Sequence, residues 1–279
     1  MKSRQLLREM GFAGTFYVTS AAVLRKSISE MLNSANVFEG PNDGLAYVSP
    51  HAGHKYSGKI AAATYKSISL NKHAEKGTTF VIIGPNHTGL GSAVSVSMAN
   101  WRTPFGDITN DIELSEEICR YSGIEPDEIA HVDEHSIEVQ LPFLKYIAPD
   151  SKACFICMMD QDIETCKLLE RAISESAKKL DRKTIIIASS DMDHYEPEKV
   201  AMQKDFEVFR YLTKMEPEEF NLSVEKAQDS ICGYGPITTA MMFSKRNGGK
   251  KGEIICYGNS GAETGDHKSV VSYASIVFH

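Results

Sequence analysis

Phe80-Val-Ile-Ile-Gly-Pro-Asn-His87 is a short apolar run that stops at a proline and hands a histidine to the loop beyond it. Pro85 has no N–H to offer a β-ladder, so strand pairing ends there and His87 falls outside the strand. Two further stretches also run out into a histidine, the first through a proline and the second without one. Ala46-Tyr-Val-Ser-Pro-His51 is one, and Ile185-Ile-Ile-Ala-Ser-Ser-Asp-Met-Asp-His194 is the other.

Working outward, more short β-branched runs read as strands: Leu45–Ser49, Thr79–Ile83, Ala93–Met98, Ala153–Met158, Thr184–Ala188, Glu253–Tyr257 and Val270–Phe278. Helical patterns lie between them. Ser20 is placed to cap Ala21–Leu32, and Ser57 to cap Lys59–Ser69. Ser115 precedes a short helix, Ser136 precedes Ile137–Ile147, and Ile163–Leu180, Glu198–Leu212 and Pro236–Lys245 complete the set. Strands alternating with helices predict an α/β fold whose mostly parallel sheet is covered on both faces. Asn71–Gly77, Arg246–Gly252 and Asn259–His267 read as surface loops rather than domain breaks, so one domain is expected over residues 1–279.

Composition narrows the function. The 279 residues carry 30 Lys and Arg against 37 Asp and Glu, a net charge of −7 mixed along the chain. A nucleic-acid or anionic-membrane surface would need clustered basic residues, so neither partner is expected. Met1 to Tyr17 has charges at Lys2, Arg4, Arg8 and Glu9 and no apolar segment behind them, unlike a secretory signal. No apolar run reaches the roughly 18–20 residues of a membrane span. The expected location is the cytoplasm, with the six cysteines reduced. Cys154 and Cys157 have CxxC spacing, but strand residues three apart face opposite ways and make a poor metal clip.

Ligands of open α/β sheets bind beyond the carboxyl ends of the strands. His51, His54, His87 and His194, four of the nine histidines, fall in three such loops. His73, His131, His267 and His279 are expected in loops or at the terminus and read as structural or solvated. Asp133-Glu-His-Ser-Ile-Glu138 adds acidic residues and His135 at a helix start. A metal is the simplest reason for imidazoles to converge. Two neutral histidines plus an anionic donor, with positions left open, is the arrangement of non-haem iron(II) oxygenases. Glu134, Asp191 or a thiolate would serve as the third donor. Cys232 is the best thiol, because it precedes a helix at a Gly-rich turn where the helix N-terminus would lower its pKa. Zinc is the rival metal. The GxSxG elbow, HExxH, the P-loop and GxGxxG are all missing.

The motifs Ala13-Gly-Thr-Phe-Tyr17, Ser49-Pro-His-Ala-Gly53 with Tyr56-Ser-Gly58, and Gly84-Pro-Asn-His87 come in order along the chain. Thr103-Pro-Phe-Gly106, Asp133–Glu138 with Leu141-Pro142, and Ser189-Ser-Asp191 with His194-Tyr195 follow. Ile231-Cys-Gly233 with Pro236 and Ser269-Val-Val-Ser-Tyr-Ala274 close the series. Together they resemble the Memo family over nearly the whole chain. The resemblance implies an αβα sandwich like the LigB-type class III extradiol dioxygenases, in which two histidines and a glutamate hold iron(II) and another histidine is the base. It also implies that His51, His87 and Cys232 hold the metal and that His194 stands at the position of the base. Microbial members belong to a system with AMMECR-type and radical SAM partner proteins. Two residues depart from the pattern: His54 stands where a Tyr is expected, and Val18 where Pro is common.

The expected function is therefore a metal-binding redox protein or dioxygenase-like enzyme of unspecified substrate. Fe(II) is the first choice, with Cu or Zn as alternatives. His194 would be the general base, Asp191 or Glu134 would orient an imidazole by accepting its second N–H, and His135 would donate to substrate. A binding module that kept the pocket for an anionic or peptidic ligand is the second reading. A zinc-type hydrolase is the third.

Overall fold

The computed structural model describes residues 6–37, 43–227 and 230–279. The first five residues, with the charges of Lys2 and Arg4, lie outside the described residues, as does Asp229 before the Cys232 turn.

In chain order the elements are β1 (Leu7–Arg8), α1 (Ala21–Ser34), β2 (Ala46–Ser49), α2 (His54–Ser69), β3 (Thr79–Pro85), β4 (Val94–Ser97), β5 (Asn100–Trp101) and β6 (Thr109–Asn110). Next come α3 (Ile112–Ser122), α4 (Ile129–Val132), a 3₁₀ turn (Glu138–Gln140), α5 (Leu141–Ile147), β7 (Lys152–Met158) and α6 (Ile163–Lys179). The last are β8 (Thr184–Ser189), β9 (His194–Glu196), α7 (Glu198–Lys214), α8 (Pro217–Ala227), α9 (Tyr234–Arg246), β10 (Gly252–Asn259), α10 (Gly261–Thr264) and β11 (Val270–Phe278).

The main sheet runs β10-β11-β2-β8-β3-β7-β4, with β6 added beside β7 and β9 beside β11. Its centre, β2-β8-β3-β7, is parallel, while β11 and β4 run antiparallel to their neighbours. The sheet is therefore mixed, with its parallel part in the middle.

Every residue of β3 is buried, because helices cover both faces of the sheet. Alternate side chains divide between the two sides. Val81, Ile83, Ile156 and Ile186 pack with α3, α6, α7, α8 and α9 through Leu114, Ile173, Phe209, Phe220 and Met241. Phe80, Ile82, Phe155 and Ile187 pack with α1, α2 and α5 through Leu24, Ile28, Tyr65 and Phe143. The result is the αβα sandwich, and each such aliphatic or aromatic side chain stabilises it by about 1.5–3 kcal/mol. Cys154 and Cys157 are both buried and free, and Cys154 joins the first of these layers. Among the described residues no helix is long and apolar enough to cross a membrane.

Several local expectations change. Helix α2 begins at His54 behind Gly53, and Ser57 sits inside it, donating from Oγ to Ala52 O at 2.8 Å. Helix α3 likewise begins before Ser115, after Asp111. The stretch expected as one helix from Ile137 is a 3₁₀ turn followed by α5, and Pro142 stands in the first turn of α5. Ser136 does not cap it, because its hydroxyl donates to Pro85 O at the end of β3. Helix α8 was not anticipated. It opens on Pro217, a residue that suits a first helical turn and that the periodicity alone does not flag.

Candidate metal centre

Ser49, Pro85 and Ser189 end parallel strands at one edge of the sheet, and His51, His87 and Asp191 each follow two residues later. Identical offsets from neighbouring strand ends bring the three loops to one place. The segment carrying Glu134 and His135 arrives from α4 and presses on the end of β3. A Cβ on Gly84 would collide with the Ser136 side chain, so only glycine permits that approach. Gly233 acts in the same way beside Ser189 and Ser190, which brings Cys232, just ahead of α9, to the end of β8.

His51, His87 and His135 each turn one ligand atom toward a common point, all within 4.8 Å of one another. Their ring centroids lie 5.1 Å apart for His51 and His87, 5.3 Å for His51 and His135, and 4.6 Å for His87 and His135, which stack. Cys232 lies outside that compact set but touches it, with Sγ 3.2 Å from His51 Nε2. Burial, followed by the neighbouring imidazoles, holds His51 well below its ordinary pKa. Burial also brings His135 down to about 4. Both rings are therefore neutral at pH 7, with a lone pair free for a metal.

Glu134 anchors the triad. Its carboxylate is fully buried and accepts from His87 N at 2.5 Å, His87 Nδ1 at 2.9 Å and Ser136 N at 2.8 Å. His135 Nδ1 stands 3.3 Å from the same oxygen that faces His87 Nδ1. Burial opposes the charge, but the hydrogen bonds and proximity of His87 outweigh it and hold Glu134 at about 2. Asp191 has a different task. Its Oδ1 accepts from the backbone N–H of His51 at 2.8 Å and of Ala52 at 3.3 Å, so it fixes the loop rather than a ring. Burial pushes its pKa up to about 6.

The expected thiolate is not favoured by this setting. Burial, and then the Asp191 carboxylate, push the Cys232 thiol up rather than down. Desolvation outweighs the helix N-terminus that the sequence suggested.

These side chains floor an open pocket of about 630 Å³, walled by Phe16, Tyr56, His194 and Tyr195. His194 Nδ1 is buried without a hydrogen-bond partner among the described residues. Tyr195 has φ 65°, a left-handed conformation costly for an aromatic residue, and its side chain is 77% exposed at the rim. His54 does not line this pocket. Its Nε2 meets Val139 O at 3.0 Å, and its ring packs beside Tyr17 and Phe143. The departure at that position therefore acts behind the site. Of the four remaining histidines, His131 is fully buried inside α4, not in a loop.

Sequence reasoning missed the polar residues that hold the imidazoles in place. Ser189 lies 2.9 Å from His51 Nδ1, and Gln140 Nε2 lies 2.8 Å from Ser189 Oγ. A serine closing an apolar strand is a weak signal for Ser189, and nothing local marks Gln140. Arg8 and Glu138 form a buried ion pair at 2.5 Å. Glu138 also accepts from Gly11 N, Phe12 N and the Tyr17 hydroxyl, pinning the loop that carries Phe16 into the pocket wall.

A sequence profile described as Memo-like protein matches residues 8–277. A MEMO1 family protein of Methanocaldococcus jannaschii is 45% identical over 238 residues, covering 84% of this chain and 83% of its own. One of Methanopyrus kandleri is 41% identical over 283 residues, covering 97% and 98%. Another, of Methanosarcina mazei, is 40% identical over 276 residues, with 97% and 98% covered.

Proposed function

This chain belongs to the Memo family, and from that premise we propose that it is a metal-dependent redox protein acting on a ligand held in the pocket above the imidazoles. The observation that carries the reading is the convergence of His51, His87 and His135 on one point, within 4.8 Å, at the carboxyl edge of the sheet.

The donor set suits a metal. Two donors about 2.1 and 2.3 Å from one ion, at 90–110°, stand about 3.1–3.6 Å apart, and the 3.2 Å between His51 Nε2 and Cys232 Sγ falls in that range. His51, His87 and Cys232 would hold the ion, with His135 facing it from the stacked position. A bound Fe(II), or Cu in its place, would supply one-electron chemistry and a Lewis-acidic centre. His194 lines the pocket with Nδ1 unpartnered among the described residues, which supports its reading as the group that would move a proton to or from a ligand. Phe16, Tyr56 and Tyr195 would shield that ligand from water. Among the described residues the lining includes no Lys or Arg, which disfavours the reading of the pocket as a purely anion-recognising module.

The test is metal analysis of untagged protein purified anaerobically without chelators, followed by titration of the metal-free protein with Fe(II), Cu(I) and Zn(II). Stoichiometric Fe or Cu is the expected result. Zinc alone, with no redox response, would replace the proposal with a hydrolase. Failure to bind any of the three would leave a binding module.

A further inference from the structure

His51 and His87 are both held through Nδ1, but by acceptors of different kinds. For His87 the acceptor is the Glu134 carboxylate, at 2.9 Å. An ionised carboxylate has no proton to give, so Nδ1 of His87 donates and Nε2 carries the lone pair.

His51 Nδ1 meets a hydroxyl instead, Ser189 Oγ at 2.9 Å, which in principle could donate or accept. The surroundings remove the choice. A hydroxyl has one proton, and that of Ser189 goes to the Ser136 carbonyl at 2.6 Å, a group that can only accept. Gln140 Nε2 occupies one lone pair of the same oxygen at 2.8 Å. The Gln140 amide cannot be turned over, because its Nε2 also lies 2.9 Å from Pro50 O while its Oε1 accepts from the Tyr65 hydroxyl at 2.9 Å. Among the described residues, the group left to satisfy the remaining lone pair of Ser189 is His51 Nδ1, which must then carry the proton. Tyr65, Gln140 and Ser189 are fully buried and His51 nearly so, a setting in which these hydrogen bonds are strong and an unpaired one is costly.

We infer that Ser189, backed by Gln140 and Tyr65, is a positioning residue that locks His51 as the Nδ1–H tautomer and so points its Nε2 lone pair at Cys232 and the ligand-binding point. The two imidazoles thus present the same nitrogen but are unequal donors: an anion backs His87, and a neutral hydroxyl backs His51. Hydrogen bonding to a carboxylate raises the basicity of the ring. The functional half of this inference rests on the proposed metal centre, and the tautomer half does not.

Long-range ¹H–¹⁵N correlation spectra of the ¹⁵N-labelled, metal-free protein at pH 7.5 report which imidazole nitrogen is protonated, with His51 assigned by the signal lost in His51→Asn. The wild-type spectrum should show Nδ1–H for His51. An Nε2–H signal there overturns the inference without any need for a positioning variant. Ser189→Ala should lose the single tautomer and weaken Fe(II) binding, measured by chelator competition, by about 10–100-fold. Ser189→Thr, which keeps the hydroxyl, should restore both. If Ser189→Ala keeps the tautomer and binds Fe(II) as tightly as wild type, the positioning role is refuted. If wild-type protein binds no metal, the proposed function falls, and the tautomer lock is judged by the spectra alone.

Discussion

Cys232 Sγ and His51 Nε2 stand 3.2 Å apart although 181 residues separate them in the chain. The contact joins the turn before α9 to the loop after β2, and it is the basis for placing Cys232 among the proposed ligands. Cys232→Ser should lower Fe(II) or Cu(I) affinity by about tenfold or more, because a hydroxyl replaces a soft thiol that loses its proton on binding a metal. His135→Asn should cost less. Isothermal titration of both variants checks the order, and a larger loss in His135→Asn would assign the third position to the stacked imidazole.

Arg8 and Glu138 make the ion pair that anchors the chain before α1. Glu138 is fully buried, and its partner also donates to the carbonyls of His131 and Glu134. Glu138→Ala leaves that guanidinium uncompensated, so unfolding free energy should fall by about 3–5 kcal/mol. Urea denaturation measures the loss. Hydrogen exchange should locate the first opening at residues 11–17, where the carboxylate holds the Gly11 and Phe12 amides and the Tyr17 hydroxyl.

His54 and His131 lie away from the proposed ligands, and burial brings each of them down to about 4. An unfolded histidine titrates near 6.5. Between these values the unfolded chain binds more protons, so stability is complete above about pH 6.5 and drains away as pH falls toward 4. From pH 7 to pH 5 each ring should cost about 2 kcal/mol. Urea midpoints at the two pH values test this, and His131→Phe should show a visibly shallower slope. An equal slope in that variant would remove His131 from the account.

Tyr195 spends conformational energy to hold an exposed ring over the pocket. Its φ of 65° is a conformation that glycine adopts freely, and little of the ring is buried. Tyr195→Gly should therefore leave stability unchanged or raise it by about 1 kcal/mol. The same change should weaken binding of whatever the pocket holds. A thermal melt alongside ligand titration separates the effects, and a large drop in melting temperature would show that the ring is structural.

Much was legible before the fold was known. Apolar runs ending in Pro50 and Pro85 predicted strand ends, and parallel strands predicted that their histidines would share an edge. His51 and His87 follow from that alone, because strand length and proline position are local properties. Glu134 was marked by its place in an acidic helix start, though not by which ring it would hold.

Other features came only from assembly. Cys232 reads in sequence as a helix-activated thiol, yet closing the pocket around it reverses the direction of its pKa, since desolvation is a property of the packed whole. His135 enters the triad because Gly84 lets its segment touch β3. Ser189 and Gln140 acquire meaning only when the single proton and two lone pairs of the Ser189 hydroxyl are counted against buried neighbours, Gln140 among them. The sequence by itself determined the sheet, its carboxyl edge and two of the histidines on it, because periodicity and proline act over a few residues. Tertiary structure alone decided protonation, tautomer and the third imidazole, because these depend on atoms far away in the chain or on how completely water is excluded.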